Sequence, residues 1–468
     1  MKHDVAVVGF GPTGAVLAAL LGQAGVRTLV LDKAREIYDK PRAFALDHEV
    51  MRVFQNLGLA DAIAPHTAPF TPSEYYGADG RLIKRLGSVP PPWPLGWAPN
   101  LVFSQPAVDA ALRARVAALP GVEVRLGEEV RDLDRIDARF VVGCDGASSH
   151  VRQQLGIGFE DLGFDEPWLV IDLLVNEEGA ARLPQVSVQY CEPARPCTYL
   201  IGPGAHRRWE IMLLPGESPA EMERDVWRLL ARWLEPRHAT LWRVASYRFH
   251  ALIAAQWRRG RFFLAGDAAH QQPPFTGQGM CQGVRDAANL AWKLAHVLDG
   301  RAGENLLASY ETERRPHVRR LTGTIKEIGR LICERDPAAA AARDRRLLDE
   351  ANGAIRTVPR QSLIPPLERG LLSPLAHPAN GTLFPQPRLA EGRLLDDIAG
   401  TGFRVFRKEA FCAGGTFTET EGVATDWFER NDCVVALVRP DHYVYGVARN
   451  IAELEEQNLS LREALQCN

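Results

Sequence analysis

Runs of apolar residues, separated by a glycine-rich turn and a helical pattern, open the chain. Residues 5–8 form an apolar run, residues 13–24 are rich in Ala and Leu, and residues 28–31 form a second apolar run. Strand patterns that alternate with helix patterns are typical of a parallel sheet with crossover helices. The start of the chain is therefore predicted to be the strand, turn, helix and strand of an α/β domain.

Strand patterns alternate with helix patterns in two further parts of the chain. A helix is predicted between residues 106 and 118, with strands near 122–125 and 139–144. A buried strand at 261–265 precedes a second helical pattern at 282–298. Because these segments are far apart in sequence, the α/β domain is predicted to be assembled from discontinuous pieces.

The segment between these pieces has a different pattern. From about residue 168 to 217 the apolar runs are short, rich in β-branched and aromatic residues, and separated by turn residues. This pattern predicts a meandering antiparallel sheet inserted into the α/β domain. Residues 75–99 become proline-rich from residue 90 onward and are predicted to leave the first domain as an excursion.

The C-terminal part is predicted to be a small unit behind a connector. Residues 334–350 read as a helix, and residues 359–387 are proline-rich, as in a connector. Beyond them, residues 403–406 and 434–438 read as strands and residues 452–465 as a helix.

These patterns predict an α/β fold in which a discontinuous Rossmann-like domain carries an inserted antiparallel-sheet domain and is followed by a small C-terminal domain. The predicted bounds are 1–70, 100–165 and 255–330 for the Rossmann-like domain, 71–99 and 166–254 for the sheet domain, 331–385 for a helical and Pro-rich connector, and 386–468 for the C-terminal domain.

Composition and charge exclude several functional classes. The 468 residues are 46% hydrophobic and 24% charged, as in folded globular proteins, and the net charge of -3 gives no electrostatic footprint for nucleic acid or an anionic membrane. No apolar run reaches the ~18 residues of a membrane span, and the N-terminal segment reads as part of the fold instead of a cleaved signal peptide. Eight scattered cysteines lack C-x-x-C and zinc spacing, which predicts reduced thiols in a cytoplasmic enzyme without a structural metal.

A dinucleotide-binding fingerprint lies in the first turn. Gly9, Gly11 and Gly14 form a G-x-G-x-x-G pattern after a predicted strand and before a predicted helix. The glycines allow a tight turn and close approach of a pyrophosphate to the N–H groups of the helix start. Asp32, at the end of the second strand, is placed to accept hydrogen bonds from a ribose diol. The fingerprint alone does not separate a flavin from a nicotinamide cofactor.

Two later motifs repeat the strand-and-turn pattern. Residues 143–152 (GCDGASSHVR) place an Asp-Gly turn after a buried strand, and residues 261–270 (RFFLAGDAAH) place a Gly-Asp turn after another, followed by the loop 273–280. With these motifs the chain resembles the single-component (group A) FAD-dependent aromatic hydroxylases of the para-hydroxybenzoate and phenol hydroxylase type. Residues 191–196, 207–210 and 310–317 narrow the resemblance to the branch typified by 3-(3-hydroxyphenyl)propionate hydroxylase.

The resemblance implies FAD as the cofactor and gives several residues a role. Asp267 would meet the ribityl hydroxyls, the loop 273–280 would present backbone N–H groups to the flavin pyrimidine edge, and Asp145 would face the pyrophosphate. We expect the three glycine-bearing turns to converge around one flavin. The implied FAD contacts are Gly9, Gly11, Pro12, Thr13, Gly14, Asp32, Lys33, Arg42, Gln105, Asp145, Gly146, Gly266, Asp267, Pro274, Gly277, Gln278, Gly279 and Met280.

The resemblance also describes the C-terminal unit and two departures. Residues 386–468 resemble the thioredoxin-like domain of phenol hydroxylases, and since they contain no C-x-x-C they are expected to be structural. Cys281 stands where many relatives have Asn after Gly-Met, and residues 330–380 match no family motif.

The reaction implied is hydroxylation of a phenolic substrate with NADH or NADPH and O2, through a C4a-hydroperoxyflavin, with no nucleic acid or membrane partner. A base near the substrate hydroxyl is expected. Its identity is open: Tyr190, Tyr199, His206 and His250 are weak candidates, each also explained as a packed or edge side chain of the predicted sheet. The oligomeric state is open as well, with a homodimer as one alternative.

Five other side chains have two interpretations each. His270 fits a structural role better than a catalytic one, and Arg207 with Arg208 fits an internal ion pair with nearby Glu210 better than a clamp on a substrate carboxylate. Trp93 and Trp97 fit a cover over the pocket or, more simply, a proline-rich surface loop.

Two rival functions remain. A flavin-dependent halogenase shares the cofactor fold, but its relatives carry Trp-x-Trp-x-Ile-Pro, and the spacing of Trp93 and Trp97 is wrong for that motif. A non-catalytic FAD-binding module is the second rival, because the motifs above concern cofactor binding.

Overall fold

The structure is a computed structural model that describes residues 2–465. Its strands are β1 His3–Val8, β2 Thr28–Asp32, β3 Ala45–Asp47, β4 Thr67–Pro69, β5 Ser73–Tyr76, β6 Leu82–Gly87, β7 Asn100–Phe103, β8 Val122–Leu126, β9 Ala138–Gly143, β10 Phe159–Val175, β11 Ser187–Tyr190, β12 Cys197–Ile201, β13 His206–Met212, β14 Ala239–Ala254, β15 Arg258–Arg259, β16 Phe262–Leu264, β17 His270–Gln271, β18 Thr357–Pro359, β19 Arg404–Arg407, β20 Val435–Val438 and β21 Val444–Ala448. Its α-helices are α1 Pro12–Gln23, α2 His48–Asn56, α3 Ala60–Ile63, α4 Gln105–Ala117, α5 His150–Gln154, α6 Glu177–Arg182, α7 Pro219–Arg224, α8 Val226–Leu230, α9 Gly279–Leu298, α10 Ala308–Ile332, α11 Pro337–Asp349, α12 Leu395–Ala399, α13 Val423–Arg430 and α14 Ile451–Leu465.

A six-stranded sheet has the order β15-β16-β9-β1-β2-β8. All its pairings are parallel except the edge pair β15–β16. Its strands come from three separate parts of the chain: β1 and β2 from the first, β8 and β9 from the second, and β15 and β16 from the third. The alternation of strand and helix patterns predicts this discontinuous assembly. The buried faces of α1 and α9 pack together over this sheet. Because parallel strands end at the same edge, the turns after β1, β9 and β16 meet there.

A nine-stranded sheet has the order β17-β14-β10-β13-β12-β11-β5-β6-β18. Most pairs are antiparallel, as predicted, but β11 pairs with β5 and β6 pairs with β18 in parallel. Strands β5 and β6 lie within the proline-rich excursion, before its prolines begin. Strand β18 lies in the segment interpreted from sequence as a connector, so that segment contributes an edge strand and is more than a linker.

The C-terminal unit contains the antiparallel sheet β19-β20-β21 and the helices α12 to α14. Its aromatic core includes Phe384, Phe406, Phe411 and Phe428. Ala379 also packs in this core, so the unit begins before residue 386.

A cluster of buried charges joins the C-terminal unit to the helices of the first sheet. Glu313 of α10 lies 2.7 Å from Lys293 of α9 and 2.7 Å from Arg439, and Arg439 also pairs with Asp441 at 2.7 Å. All four side chains are almost fully buried. We call Lys293, Glu313, Arg439 and Asp441 the interdomain ion cluster. Between residues 2 and 465, no helix is long and apolar enough to span a membrane.

Candidate active site

A cavity of about 700 Å³ lies between the edge of the six-stranded sheet and one face of the nine-stranded sheet. The turns after β1, β9 and β16 line it, together with the start of α9 and side chains of β10 to β14. Its volume is in the range of cavities that bind cofactors and small ligands. The three turns predicted to converge are therefore neighbours in space.

The first turn is shaped by its glycines. Gly9 has a φ of +103°, and a Cβ at this residue would lie 2.4 Å from the carbonyl oxygen of Cys144 in the second turn. A Cβ at Gly14 would lie 2.0 Å from the carbonyl oxygen of Gly9. At Gly11, by contrast, no atom lies within 4 Å of the Cβ position. Helix α1 begins at this open residue without a side-chain cap, so its free N–H groups are available to an anion.

Asp32, at the end of β2, is held by two backbone groups. Its carboxylate accepts a hydrogen bond from Phe10 N at 2.5 Å and another from Ala34 N at 2.7 Å. Each oxygen keeps a second lone pair, and the residue lines the cavity beside Lys33. The arrangement fixes a carboxylate next to the first turn and fits a ribose diol.

Asp145, in the second turn, caps helix α5. Its carboxylate accepts hydrogen bonds from Ser149 Oγ, His150 N and Val151 N at 2.5, 2.7 and 3.0 Å. The side chain therefore maintains the turn, while Gly146, with a φ of +83° and open space at its Cβ position, presents backbone to the cavity.

Gly266, in the third turn, packs directly on the first. Its φ is +62°, and a Cβ here would lie 2.6 Å from Thr13 Oγ1. Gly266 N donates a hydrogen bond to Asp286 of α9 at 3.0 Å. The same carboxylate lies 2.6 Å from His270 Nε2 and accepts from Arg314 Nε at 2.9 Å. This buried group holds the third turn in place, which agrees with a structural role for His270.

Asp267 is exposed to the cavity and has no hydrogen-bond partner among residues 2–465. Its position deep in the protein raises the pKa of this carboxyl, because desolvation disfavours the charged form. A free carboxylate at this depth fits the hydroxyls of a ribityl chain. Together with the open Gly11 and the uncapped start of α1, it makes the cavity suitable for FAD.

The loop before α9 reaches the cavity with Pro274, Gly277, Gly279 and Met280. Helix α9 begins without a side-chain cap, so its positive end faces the lining. The Gln278 side chain points elsewhere: it donates to Asp47 Oδ2 at 3.1 Å and accepts from Arg285 at 3.0 Å.

Cys281 is fully buried, and its thiol lies 3.8 Å from the carbonyl oxygens of Ala45 and Gly277. It packs behind the lining, outside the cavity.

Gln105 positions the chain near Arg42. Its Oε1 accepts hydrogen bonds from Arg42 N at 3.0 Å and Ala43 N at 2.6 Å. Gln105 and Arg42 both line the cavity, and the Arg42 side chain is exposed above the Tyr38 ring. The Gln105 side-chain oxygen is therefore already bonded within the protein, whereas the exposed Arg42 side chain is available to contact a ligand.

Most of the implied FAD contacts line this cavity. Three do not: Gly14, Gly266 and Gln278 lie behind the lining. The first two allow close packing of the turns, and the third belongs to a buried polar network.

The opposite wall is one face of the nine-stranded sheet. Alternate residues of a strand face the same side of a sheet, and the strands β10 to β13 each turn such residues toward the cavity. These are Val170, Gln189, Thr198, Leu200 and Glu210. Aromatic rings extend this wall: Phe249 and Phe275 line the cavity with ring centroids 6.0 Å apart, and Trp168 packs behind both. An apolar wall of this kind suits an aromatic ring.

Two arginines of this wall share one carboxylate. Arg208 of β13 donates to Asp172 Oδ1 at 2.7 Å and to Oδ2 at 3.1 Å. Arg243 of β14 lies 3.5 Å from the same carboxylate. Although burial raises it, the pKa of Asp172 is held below its usual range by Arg208 and His206. The predicted pair between Arg208 and Glu210 is wrong, because the cross-strand register places Asp172 opposite Arg208.

Of the candidate bases, only His250 lines the cavity, and its Nδ1 lies 3.2 Å from Asp165. His206 is buried beside Asp172, and burial lowers its pKa. Tyr190 and Tyr199 alternate with the cavity-facing residues of their strands: Tyr190 accepts from Trp233, and Tyr199 donates to the Pro184 carbonyl. These positions do not support a direct role for Tyr190, Tyr199 or His206.

Trp93 and Trp97 do not cover the cavity, since neither lines it. The Trp97 indole donates to Gln55 Oε1 at 2.8 Å, and Gln386 of the C-terminal unit bonds to Pro94 O and Leu95 O. The proline-rich loop therefore forms part of the contact with the C-terminal unit.

Sequence reasoning missed several lining residues. Arg360, just after β18, is buried, donates to Ser73 Oγ at 2.8 Å and Thr276 O at 3.2 Å, and lines the cavity. No motif marks it. Glu210 was noticed in the sequence only as a charged residue two positions after Arg208 on a predicted strand.

Comparison with known proteins gives relatives that cover most of the chain. The FAD binding domain family matches residues 2–324. A probable NADH-specific resorcinol 4-hydroxylase of Rhodococcus jostii (strain RHA1) is 38% identical over 96% of this chain and 93% of its own length. A 3-(3-hydroxy-phenyl)propionate/3-hydroxycinnamic acid hydroxylase of Mycobacterium sp. (strain KMS) is 37% identical over 86% of this chain and 74% of its own length.

A solved structure has the same fold. The flavin-dependent monooxygenase PieE, crystallised with FAD and substrate, superposes with a TM-score of 0.81 over 99% of both chains at 21% identity. This likeness establishes the fold, including its several sheets.

Proposed function

Because the chain belongs to the FAD binding domain family, with aromatic hydroxylases as its relatives, we propose that it hydroxylates a phenol with NADH and O2. It is an FAD-dependent monooxygenase. The observation that supports this function most strongly is a cavity with the glycine turns on one side and, on the other, a sheet face beside the aromatic rings of Phe249 and Phe275. A flavin and an aromatic ring can lie side by side in such a cavity.

The cofactor-holding residues follow from the geometry of the lining. Gly11 and the start of α1 would face the pyrophosphate, Asp32 a ribose, and Asp267 the ribityl chain. The start of α9 would face the electron-rich end of the flavin ring. FAD, when bound, carries the electron pair of NADH to O2.

The remaining work of the protein is positional. The ring of the substrate packs on the wall of Phe249 and Phe275, which also keeps water from the reacting atoms. Relatives named for resorcinol and for 3-(3-hydroxyphenyl)propionate support a phenolic substrate, and the branch-level similarity supports a new hydroxyl ortho to the existing one.

The test is NADH oxidation by the FAD-loaded enzyme, with and without resorcinol or 3-(3-hydroxyphenyl)propionate. We expect one of these phenols to stimulate NADH oxidation at least tenfold and to gain one ortho hydroxyl per turnover, measured by mass spectrometry and NMR. The rate without a phenol is the control. An FAD-loaded protein that shows neither phenol-stimulated NADH oxidation nor a hydroxylated product favours the binding module. A halogenated product in the presence of chloride favours the halogenase, and oxygen in an alkyl chain or ring ketone contradicts hydroxylation.

We also propose the domain organisation. The bounds 1–70, 100–165 and 255–330 define an FAD-binding domain, with 71–99 and 166–254 as a substrate domain that is joined by β18 of the 331–385 segment. The C-terminal unit from 386 onward, extended to include Ala379 and Phe384, is proposed as a thioredoxin-like domain with a structural role. Its helices around an antiparallel sheet and its interdomain ion cluster support this role, and the chain has no C-x-x-C for dithiol chemistry.

A further inference from the structure

Glu210 is a buried carboxylate without a partner. It lies on β13, is 3% exposed, and lines the cavity. In the part of the chain that the structure describes, no side chain or backbone group donates a hydrogen bond to its carboxylate, which is influenced only by burial and by the charges of Arg208 and Asp172. Buried carboxylates are almost always paired, because desolvating an unpaired charge is costly. A free one that faces a ligand cavity indicates that the ligand supplies the missing donor.

The arginines near Glu210 form their hydrogen bonds with groups other than Glu210. The Arg208 guanidinium donates to Asp172 and to the carbonyl oxygens of Pro41 and Arg42. Arg243 donates to Pro41 O and to the Tyr247 hydroxyl, and it also pairs with Asp172. Two guanidinium groups thus face one carboxylate, and the surplus positive charge favours an ionised Glu210 without bonding to it directly.

The cross-strand neighbours leave Glu210 free as well. Thr198 of β12 is directly opposite Glu210 on one side, and Val170 of β10 on the other. Thr198 donates its only hydroxyl proton to Gln189 Oε1 at 2.6 Å, and Val170 is apolar. Side chains directly opposite in a sheet lie ~4.5–5.5 Å apart at Cβ, so these are its nearest neighbours across the strands.

The charged and titratable groups around Glu210 determine its ionisation. They are Arg208 on its own strand, Asp172 on β10, and Arg243 and Tyr247 on β14. Burial raises the pKa of Glu210 to about 7, partly opposed by Arg208 and assisted by Asp172. A carboxyl group with this pKa both accepts and returns a proton near neutral pH, as a general base requires.

We propose that Glu210 accepts the proton of the phenolic hydroxyl that activates the ring. This inference rests on the proposed function. The O–H bond breaks, its proton moves to the Glu210 carboxylate, and its electron pair enters the ring as the ortho carbon bonds to one oxygen atom of O2 and the bond between the two oxygen atoms breaks. That carbon then loses its own proton, the ring becomes aromatic again, and Glu210 returns its proton to the phenolic oxygen. The second oxygen atom leaves as water. NADH supplies the electron pair as hydride and becomes NAD+, and its hydrogen, the proton lost by the ring carbon and one proton from solvent complete the new hydroxyl and the water.

The test compares Glu210→Gln with Glu210→Asp and with Glu221→Gln, an exposed carboxylate of α7 outside the cavity. With the phenol identified in the NADH assay, we expect Glu210→Gln to lower the kcat of hydroxylation by ~10²–10⁴-fold, with KM changed only a few fold and FAD content unchanged. NADH oxidation then releases hydrogen peroxide. The kcat of Glu210→Asp is expected to be at least tenfold higher than that of Glu210→Gln. The kcat of Glu221→Gln is expected to equal that of the parent enzyme.

The pH profile separates a proton acceptor from a packing residue. In the parent enzyme kcat is expected to rise with pH as Glu210 ionises near pH 7, and this limb should be absent in Glu210→Gln. A Glu210→Gln enzyme that hydroxylates at the parental rate, or keeps the same limb, overturns the inference about Glu210 and leaves the function intact. A parent enzyme that is FAD-loaded but unstimulated by any phenol contradicts the proposed function itself.

Discussion

Asp267→Ala is expected to weaken FAD binding by about 30- to 1,000-fold, because the mutation removes the free carboxylate that faces the ribityl chain. This range corresponds to a loss of ~2–4 kcal/mol, which one strong or two weaker hydrogen bonds to a charged group would account for at ~1.5–3 kcal/mol each. The FAD-free protein should remain as stable as before, since Asp267 is exposed to the cavity and has no hydrogen-bond partner within residues 2–465.

Flavin fluorescence titration measures the affinity, and the rise of Tm on adding FAD reports binding independently of activity. Asp39→Ala is the matched control, because Asp39 is exposed and does not line the cavity. Asp267→Asn, which keeps one acceptor oxygen, should lie between the parent and the alanine variant. A purified Asp267→Ala protein that retains its full yellow colour and parental affinity contradicts the assignment.

Glu313→Gln is expected to destabilise the contact between the C-terminal unit and the rest of the chain by ~3–5 kcal/mol, the cost of breaking a buried ion pair. Glu313 lies beside Lys293 and Arg439 and also accepts a hydrogen bond from Leu371 N at 2.8 Å. Without its charge, two buried cations share the single carboxylate of Asp441. The neutral glutamine keeps the shape of the side chain, so the effect reports charge and not packing.

Hydrogen exchange resolved by peptide measures this loss locally, which avoids assuming two-state unfolding for a chain of several domains. Faster exchange is expected in the strands β20 and β21. Glu327→Gln on the same helix removes an exposed pair with Arg330 and should cost no more than ~1 kcal/mol. Equal effects of the two variants would mean that the interdomain ion cluster does not hold the C-terminal unit.

The parts of the fold that local patterns determine were predictable. The strand β1, the helix α1 and the strand β2 fall within a residue or two of their predicted bounds, because a glycine turn between an apolar run and a helical pattern leaves few alternatives. Strand β18 was missed because three residues in a proline-rich segment carry no periodicity. Its pairing with β6 depends on a contact between distant segments.

The candidate site also contains residues that were predictable from local sequence and residues that depend on contacts between distant segments. The glycine turns were predictable because their conformations need glycine, as at Gly9 and Gly266. The partner of Arg208 was not, because Asp172 is opposite only through the register of β10 and β13. Proximity in sequence favoured Glu210, two residues away, yet neighbours at that spacing on a strand point the same way without meeting. Only after Asp172 was found to be the partner of Arg208 was it clear that Glu210 has no ion-pair partner among the residues that the structure describes.

The order of the six-stranded sheet affects how the protein is made. Its central strands β1 and β9 emerge early, but β16 and Gly266, which closes against Thr13, follow only after more than half of the chain. At ~5–20 residues per second, a ribosome needs tens of seconds to deliver them. During that time the nascent chain has no complete flavin cradle and leaves one edge of β9 unpaired. We therefore expect that cofactor loading follows synthesis of α9.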